Sequence, residues 1–276
     1  MKLKKITNSP RVLLDMFFTR IGHYLYSYAS RLDKDAEAIF LNYGYADDNL
    51  KLELRKEDAK NRYCIQLYNH IVASLPVELK GLDVLEVGSG RGGGASYIAR
   101  YFNPGSITGL DLCRKAVKFC TEHYTIKGVT FVCGNALKLP FQNNSLDVVI
   151  GVESSHGYPN IQRFFFEVNR VLKPGGYFLL SDFRNKNLTD LLREQLRASG
   201  LKTVKEKTIT PNIIKALDLD SERRENLIKR LVPKLLHKPS MALAGVKGTG
   251  AYISFVTGKK EYLSFVLQKP QGVTKK

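Results

Sequence analysis

No run of about 18 apolar residues occurs anywhere in the chain, which excludes a protein that crosses a membrane several times. Glycine and proline number 22 and 10 in 276 residues and follow no period, so a collagen-like chain is excluded. Cysteine is scarce. Cys64, Cys113, Cys120 and Cys133 form no Cys-x-x-Cys pair, and no histidine lies at a ligand spacing, so no metal site is expected. A disulfide framework would be out of place in a chain of this size, and four free thiols in a reducing cytosol are expected. No lysine closes a phosphate loop after the glycine run, and no Ser–His–Asp set carries a nucleophile elbow. Acidic side chains are few, 26 against 43 basic ones, for a net charge of +17.

Apolar residues make up 43% of the chain, enough to offset chain entropy and to exclude disorder throughout. The length suits one core domain with additions. Most of the positive excess sits in the last third. Residues 184–240 carry +7 and residues 241–276 carry +5, against +2 for residues 63–183. Two explanations stand open: attraction to an anionic partner, or solvated helix faces of a basic protein. The start, MKLKKITNSPRVLLDMFF, is interrupted by Asp15, Arg20 and His23 and is not read as a signal peptide. A cytoplasmic protein is expected.

Residues 11–32 keep apolar and aromatic side chains at helical spacing, and a second helix is expected over 53–75, before Pro76. The first helix either packs on the core as a lid or lies on a membrane surface through Phe17, Phe18, Leu25, Tyr26 and Tyr28 beside Arg20 and Arg31. After residue 80 short apolar runs alternate with helical patterns: LDVLEVG, SITGLDLC, GVTFVCGNA, SLDVVIGVESS and YFLLSDF as strands, with KPGG as a turn. This alternation predicts an α/β fold with a doubly wound, mostly parallel sheet and helices on both faces. Residues 1–78 would be an N-terminal helical cap and 79–183 the α/β core. Residues 184–245 would be a basic helical insertion, in which TVKEKTIT reads as a strand, and 246–276 would hold the closing strand.

The segment Glu86-Val87-Gly88-Ser89-Gly90-Arg91-Gly92 ends a strand in a carboxylate and then places glycine at every second position. Glycine lets a ligand approach the main chain, and the helix that follows offers free N–H groups. The order is G-x-G-x-G, not the G-x-G-x-x-G of a dinucleotide loop. Asp111 ends the next strand, 21 residues after Gly90, where a carboxylate can take two ribose hydroxyls. Asn135 and Ala136 end the third strand.

The set EVGSGRGGG, LDL, GNA, LDVV and VLKPGG resembles the class I S-adenosylmethionine-dependent methyltransferases over residues 80–183. More narrowly, FLNYGYADD, GRGGGASY, VESSHGYP and LKPGGYFLLSD resemble the phthiotriol dimycocerosate methyltransferases and related small-molecule O-methyltransferases. The resemblance implies a Rossmann-like fold and S-adenosyl-L-methionine as cofactor. It implies that Glu86 orients the cofactor's amino group, that Gly88, Gly90 and Gly92 bed its methionine part, and that Asp111 holds the ribose. Leu112, Asn135 and Ala136 would meet the adenine, although most relatives have Asp at the position of Asn135. Tyr45 would close over the cofactor. Each has a plainer alternative: Glu86 bracing its own loop, Asp111 capping a helix, Tyr45 packing in the core.

An alcohol or phenol acceptor must lose a proton. His156, after the fourth strand, is the candidate general base, and Asp182, ending the fifth, is the candidate to orient it. Glu153 is expected to anchor the loop and line the cofactor site. The acceptor is expected to be a lipid-like or polyketide-like small molecule methylated on a hydroxyl. C-methylation of a sterol or quinone-type lipid is a second reading. Nucleic acid is disfavoured as a substrate, because VESS replaces the Pro-Pro-aromatic turn of enzymes that methylate base amino groups. A catalytically inactive binding module is disfavoured by the intact Glu86, glycine loop and Asp111. A homodimer is compatible with the pattern.

Overall fold

A computed structural model describes residue 33 and residues 36–271. The helix expected over 11–32, and with it the membrane contact assigned to that helix, lies outside the described residues.

The elements are α1 (Arg62–Val72), β1 (Asp83–Val87), α2 (Gly93–Phe102), β2 (Ser106–Asp111), α3 (Arg114–His123), β3 (Val129–Cys133) and β4 (Leu146–Val152). They continue with α4 (Ile161–Val171), β5 (Leu172–Asn185), α5 (Thr189–Ala198), β6 (Lys202–Thr208), α6 (Thr210–Leu231), α7 (His237–Leu243), α8 (Gly250–Val256) and β7 (Lys260–Gln268). The strands form one seven-stranded sheet in the order β3-β2-β1-β4-β5-β7-β6. Neighbours are parallel from β3 to β5, while β7 runs antiparallel to both β5 and β6. This is the doubly wound, mostly parallel sheet expected from the alternation of strand and helix patterns. Strands buried on both faces need apolar residues without interruption, which is why VLEV and VVIGV read as continuous runs. Leu85, Val149, Phe164 and Phe178 fill one face; Val84, Ile98, Ile150 and Leu179 fill the other.

Two local expectations change. The helix expected from residue 53 begins at Arg62, after a short 3-10 turn at Ala59–Asn61. Leu50, Leu52 and Leu54 recur every second residue, a period that fits an extended segment, and all three pack partly buried against the core. KPGG lies inside β5 as an irregularity: Leu146 pairs Leu172, but Val148 pairs Tyr177, so four residues of β5 loop out between them. Residues 184–245 carry α5, α6, α7 and, where TVKEKTIT reads as a strand, β6, which forms an edge of the sheet.

Candidate active site

The carboxyl edge of β1, β2, β4 and β5 collects the residues singled out above. β1 runs into the glycine turn because Gly88 and Gly92 take left-handed backbone angles, φ +79° and +74°. A methyl group on Gly88 would sit 2.4 Å from the Ser154 Cβ, and one on Gly92 would strike the Tyr124 ring at 2.7 Å. Main-chain bonds pin the turn to β2: the Gly88 and Ser89 N–H groups donate to the Leu110 carbonyl at 2.8 and 3.1 Å. The loop also carries Arg91, which is buried, lies 3.8 Å over the Phe119 ring and pairs with Asp33 at 3.1 Å. This contact ties the glycine turn to the cap.

Glu86 is buried beneath that turn and accepts a 2.6 Å hydrogen bond from the Tyr68 hydroxyl of α1. Its other oxygen, Oε2, is buried with no hydrogen-bond partner among the described residues. Burial pushes the carboxyl up to about 7, against the opposing pull of the Tyr68 hydroxyl. A buried acceptor without a donor is costly, so a ligand group that donates to it is favoured there.

Asp111 ends β2 and faces the same turn. Its two oxygens accept from the Gly90 and Cys113 N–H groups at 2.9 and 2.8 Å. The Asp thus braces the glycine loop and the turn that leads into α3 at once, while each oxygen keeps lone-pair capacity for a further donor. Leu112 beside it is 69% exposed, an apolar side chain presented at the edge. At the end of β3, the Asn135 side chain accepts from the Leu137 N–H at 2.8 Å, and Ala136 is buried next to it.

The end of β4 bends sharply. Glu153 is a non-glycine residue in the left-handed region, φ +46°, a conformation that costs about 1 kcal/mol and persists only where its surroundings hold it. The holders are the Tyr43 N–H at 2.7 Å and the Tyr262 hydroxyl at 2.9 Å, both to Oε1. Burial raises this carboxyl to about 8, although both hydrogen bonds pull it down. Ser154 then donates to the Val87 carbonyl at 3.1 Å, which locks the turn after β4 against the turn after β1.

His156 follows in a 3-10 turn, Ser155–Gly157, with its ring partly exposed. Its Nδ1 lies 2.8 Å from Asp182 Oδ1. Asp182 is buried and also accepts from the Ser155 hydroxyl at 2.6 Å and from the His156 and Phe183 N–H groups at 3.0 and 2.8 Å. Burial alone would raise this carboxyl; the charges of His156 and Arg184 and these hydrogen bonds hold it well below the usual carboxylate range. Asp182 is therefore ionised and can only accept, so Nδ1 is the donor of the pair, and in the neutral imidazole the lone pair is left on Nε2. The His156 ring rests on Phe183, 4.3 Å between centroids. Tyr43 and Phe255, both buried, pack around Phe183 at 5.4 and 5.8 Å, so the dyad is backed by an aromatic wall.

Eleven of the twelve expected residues lie at or beside these strand ends. Tyr45 is the exception. It is 2% exposed, its ring stacks on His70 of α1 at 4.4 Å, and its hydroxyl donates to Asp47 at 3.3 Å. Its contacts are those of a packing residue, because the cap turns its neighbour Tyr43 toward Glu153 instead. The residues that sequence reasoning missed are Tyr68, Tyr43, Ser154 and Tyr262. Ser154 was within reach, as the first S of ESSHGY; Tyr68 and Tyr262 come from elements remote in sequence and carry no motif, and Tyr43 stands in FLNYGYADD, where Tyr45 was the expected residue.

A family model described as a methyltransferase domain matches residues 85–180. A fatty-acid O-methyltransferase of Mycolicibacterium smegmatis is 42% identical over 213 residues, covering 77% of each chain. A phthiotriol/phenolphthiotriol dimycocerosates methyltransferase of Mycobacterium tuberculosis is 36% identical over 253 residues, covering 91% of this chain and 93% of its own. Among solved structures, the cyclopropane synthase MmaA2 from Mycobacterium tuberculosis superposes with a TM-score of 0.67 at 17% identity, covering 90% of this chain and 98% of that one, a likeness of fold. With a glycine cradle, an unsatisfied buried carboxylate and a second carboxylate at the next strand end, the chain belongs to the class I S-adenosylmethionine-dependent methyltransferases.

Proposed function

We propose that this enzyme methylates an oxygen atom of a lipid-like small molecule, with His156 as general base. The cofactor is S-adenosylmethionine, and the residues fit it. Glu86 Oε2 offers a buried acceptor for its ammonium group, and the Gly88–Gly92 turn is packed so closely that a Cβ on Gly88 would strike Ser154 and one on Gly92 would strike Tyr124. Asp111 would hold the ribose hydroxyls, with Leu112, Asn135 and Ala136 against the adenine and Glu153 shaping the wall between cofactor and acceptor. Bound there, the cofactor supplies an electrophilic methyl group.

The observation that carries the acceptor chemistry is the 2.8 Å contact of His156 with ionised Asp182. The dyad sits two residues from Ser154, whose Cβ closes on Gly88 of the cofactor turn. His156 Nε2 takes the proton of an acceptor hydroxyl as its oxygen becomes nucleophilic, and Asp182 stabilises the imidazolium that results. Both groups stand on rigid strand ends, and holding them at near-contact distance removes much of the entropic barrier. The wall of Phe183, Tyr43 and Phe255 suits an apolar acceptor, and the two relatives above are named for lipid substrates.

A carboxylic acid is a second reading, favoured by the 42% identical relative named for fatty acids. A carboxylate is already ionised at neutral pH and needs no base; His156 would then bind it as imidazolium.

Labelled methyl donor incubated with lipid extract, followed by mass spectrometry and nuclear magnetic resonance of the product, tests the proposal. An O-methyl ether with a rate that rises with pH through the histidine range supports the hydroxyl reading. A methyl ester with a falling profile supports the carboxyl reading. A product methylated on carbon refutes both.

A further inference from the structure

From Asn226 to Lys260 the chain has seven Lys and Arg residues and no Asp or Glu. This stretch holds the end of α6, the 3-10 turn Lys234–Leu236, α7 and α8. These pieces pack on one another: the turn on α7, α7 on α8, and both helices on α6. α8 looks two ways. Phe255 turns inward to the aromatic wall beside Phe183, while Ile253 and Val256 face outward, 46% and 52% exposed. Leu243 at the end of α7 is 45% exposed and Leu235 in the 3-10 turn is 89% exposed. Lys234, Lys238 and Lys259 are exposed among them and make no ion pair with any described residue. Lys247 pairs with Asp218 at 2.9 Å, and Arg230 pairs with Glu37.

We propose that this α7–α8 face docks on an anionic lipid bilayer and so sets the aromatic wall of the acceptor site at the membrane surface. The physical argument has three parts. Large aliphatic side chains exposed together on short elements are a cost in water and a gain in the headgroup region. Lysines with no acidic neighbours in the same stretch add attraction to anionic headgroups, and their stems reach past the aliphatic residues to the charge layer. Continuity with the site gives the contact a use, since α8 carries Phe255 to the wall on one face and Ile253 and Val256 on the other. A nucleic acid would account for the lysines but not for Leu235, Ile253 and Val256, because the one aromatic near them that is not buried, Tyr252, is only half-exposed and bonded to Asp218, so no exposed ring is offered for bases to stack on. No described helix is long and apolar enough to cross the bilayer, so the contact is peripheral.

Flotation of the full-length protein with vesicles tests this without turnover, so its failure leaves methyl transfer standing. The protein should float with phosphatidylglycerol-containing vesicles at low salt and not with pure phosphatidylcholine. Leu235→Ser with Val256→Ser should lower the partition coefficient at least about fivefold, with methyl transfer to a water-soluble acceptor unchanged. Lys234→Glu with Lys238→Glu should lower it by a similar or larger factor. Absence of flotation on anionic vesicles overturns the proposal. So does binding lost on lysine replacement but untouched by the serine pair, which indicates a phosphate polymer. A serine pair that splits a dimer in light scattering while leaving flotation intact also overturns it.

Discussion

The two halves of the proposed active site are built in different ways. The cofactor half rests on main chain and near neighbours: the turn after β1 hangs on the Leu110 carbonyl, and Asp111 reaches Gly90 across 21 residues. The acceptor half leans more on side chains. Glu153 is held by the Tyr43 main-chain N–H and the Tyr262 hydroxyl, 110 and 109 residues away, and His156 by the Asp182 carboxylate. A main-chain cradle tolerates no change at its glycines yet needs few side chains. A side-chain constellation can be altered one residue at a time, which is how one fold serves many acceptors. Chemistry should therefore fail separately from cofactor binding when single residues are changed.

The sharpest break is expected at His156. With a hydroxyl acceptor, His156→Ala should lower turnover about 10²–10⁴-fold while the calorimetric Kd for S-adenosylmethionine stays within about twofold. Unchanged turnover removes His156 from the mechanism. Next comes Asp111→Ala, which should weaken cofactor binding by roughly 100-fold, the value of two hydrogen bonds to a charged group plus the lost brace on Gly90. If both substitutions damage binding alike, the division between the halves is wrong.

Glu86 sharpens the contrast through pH. Burial pushes its carboxyl up to about 7, and in the proposed role it must be ionised to meet an ammonium group. Cofactor affinity should fall up to about tenfold per pH unit below that point, and Glu86→Gln should be weaker at every pH but flat across the range. Titrations in buffers of different ionisation enthalpy would show the proton released on binding.

Glu153 tests the acceptor half through stability. Its folded carboxyl is raised to about 8 from an ordinary 4.5, so the folded state binds the proton more tightly than the unfolded one. Stability is full below the unfolded value and is lost as pH rises through the folded one. Glu86 acts in the same sense. Thermal melts should show a less stable protein at pH 8.5 than at 5.5, with Glu153→Gln recovering about 2 kcal/mol of that loss. The smallest effect belongs to Tyr45→Phe, which removes one 3.3 Å hydrogen bond to Asp47 and should leave the cofactor Kd within about twofold. A large loss there would restore Tyr45 to the site.

Those contrasts match what could be read from residue order. EVGSGRGG and LDL were legible because each is a strand, a turn and a helix start in immediate succession. The closure of ESSHGY onto LLSDF was legible in outline, since both end neighbouring strands of one sheet. Tyr68, Tyr43 and Tyr262 were not, because an isolated tyrosine in an apolar pattern looks the same whether it packs or donates. Tyr45 and Tyr43 stand two residues apart in NYGY, and only the path of the cap decides which one meets the site. The α1 start at Arg62 was misread because the charged LELRKED run suggests a helix, while its leucines at every second position pack as an extended segment.

Sequence alone determined the alternation of strands and helices, the glycine turn and the carboxylates at the strand ends, because these depend on backbone angles and on periods of a few residues. Tertiary structure decided which oxygen of Glu86 lacks a donor, which tyrosine holds Glu153, and that His156 meets Asp182 at 2.8 Å. Those facts depend on distances between elements far apart in the chain, and packing of the whole core sets such distances.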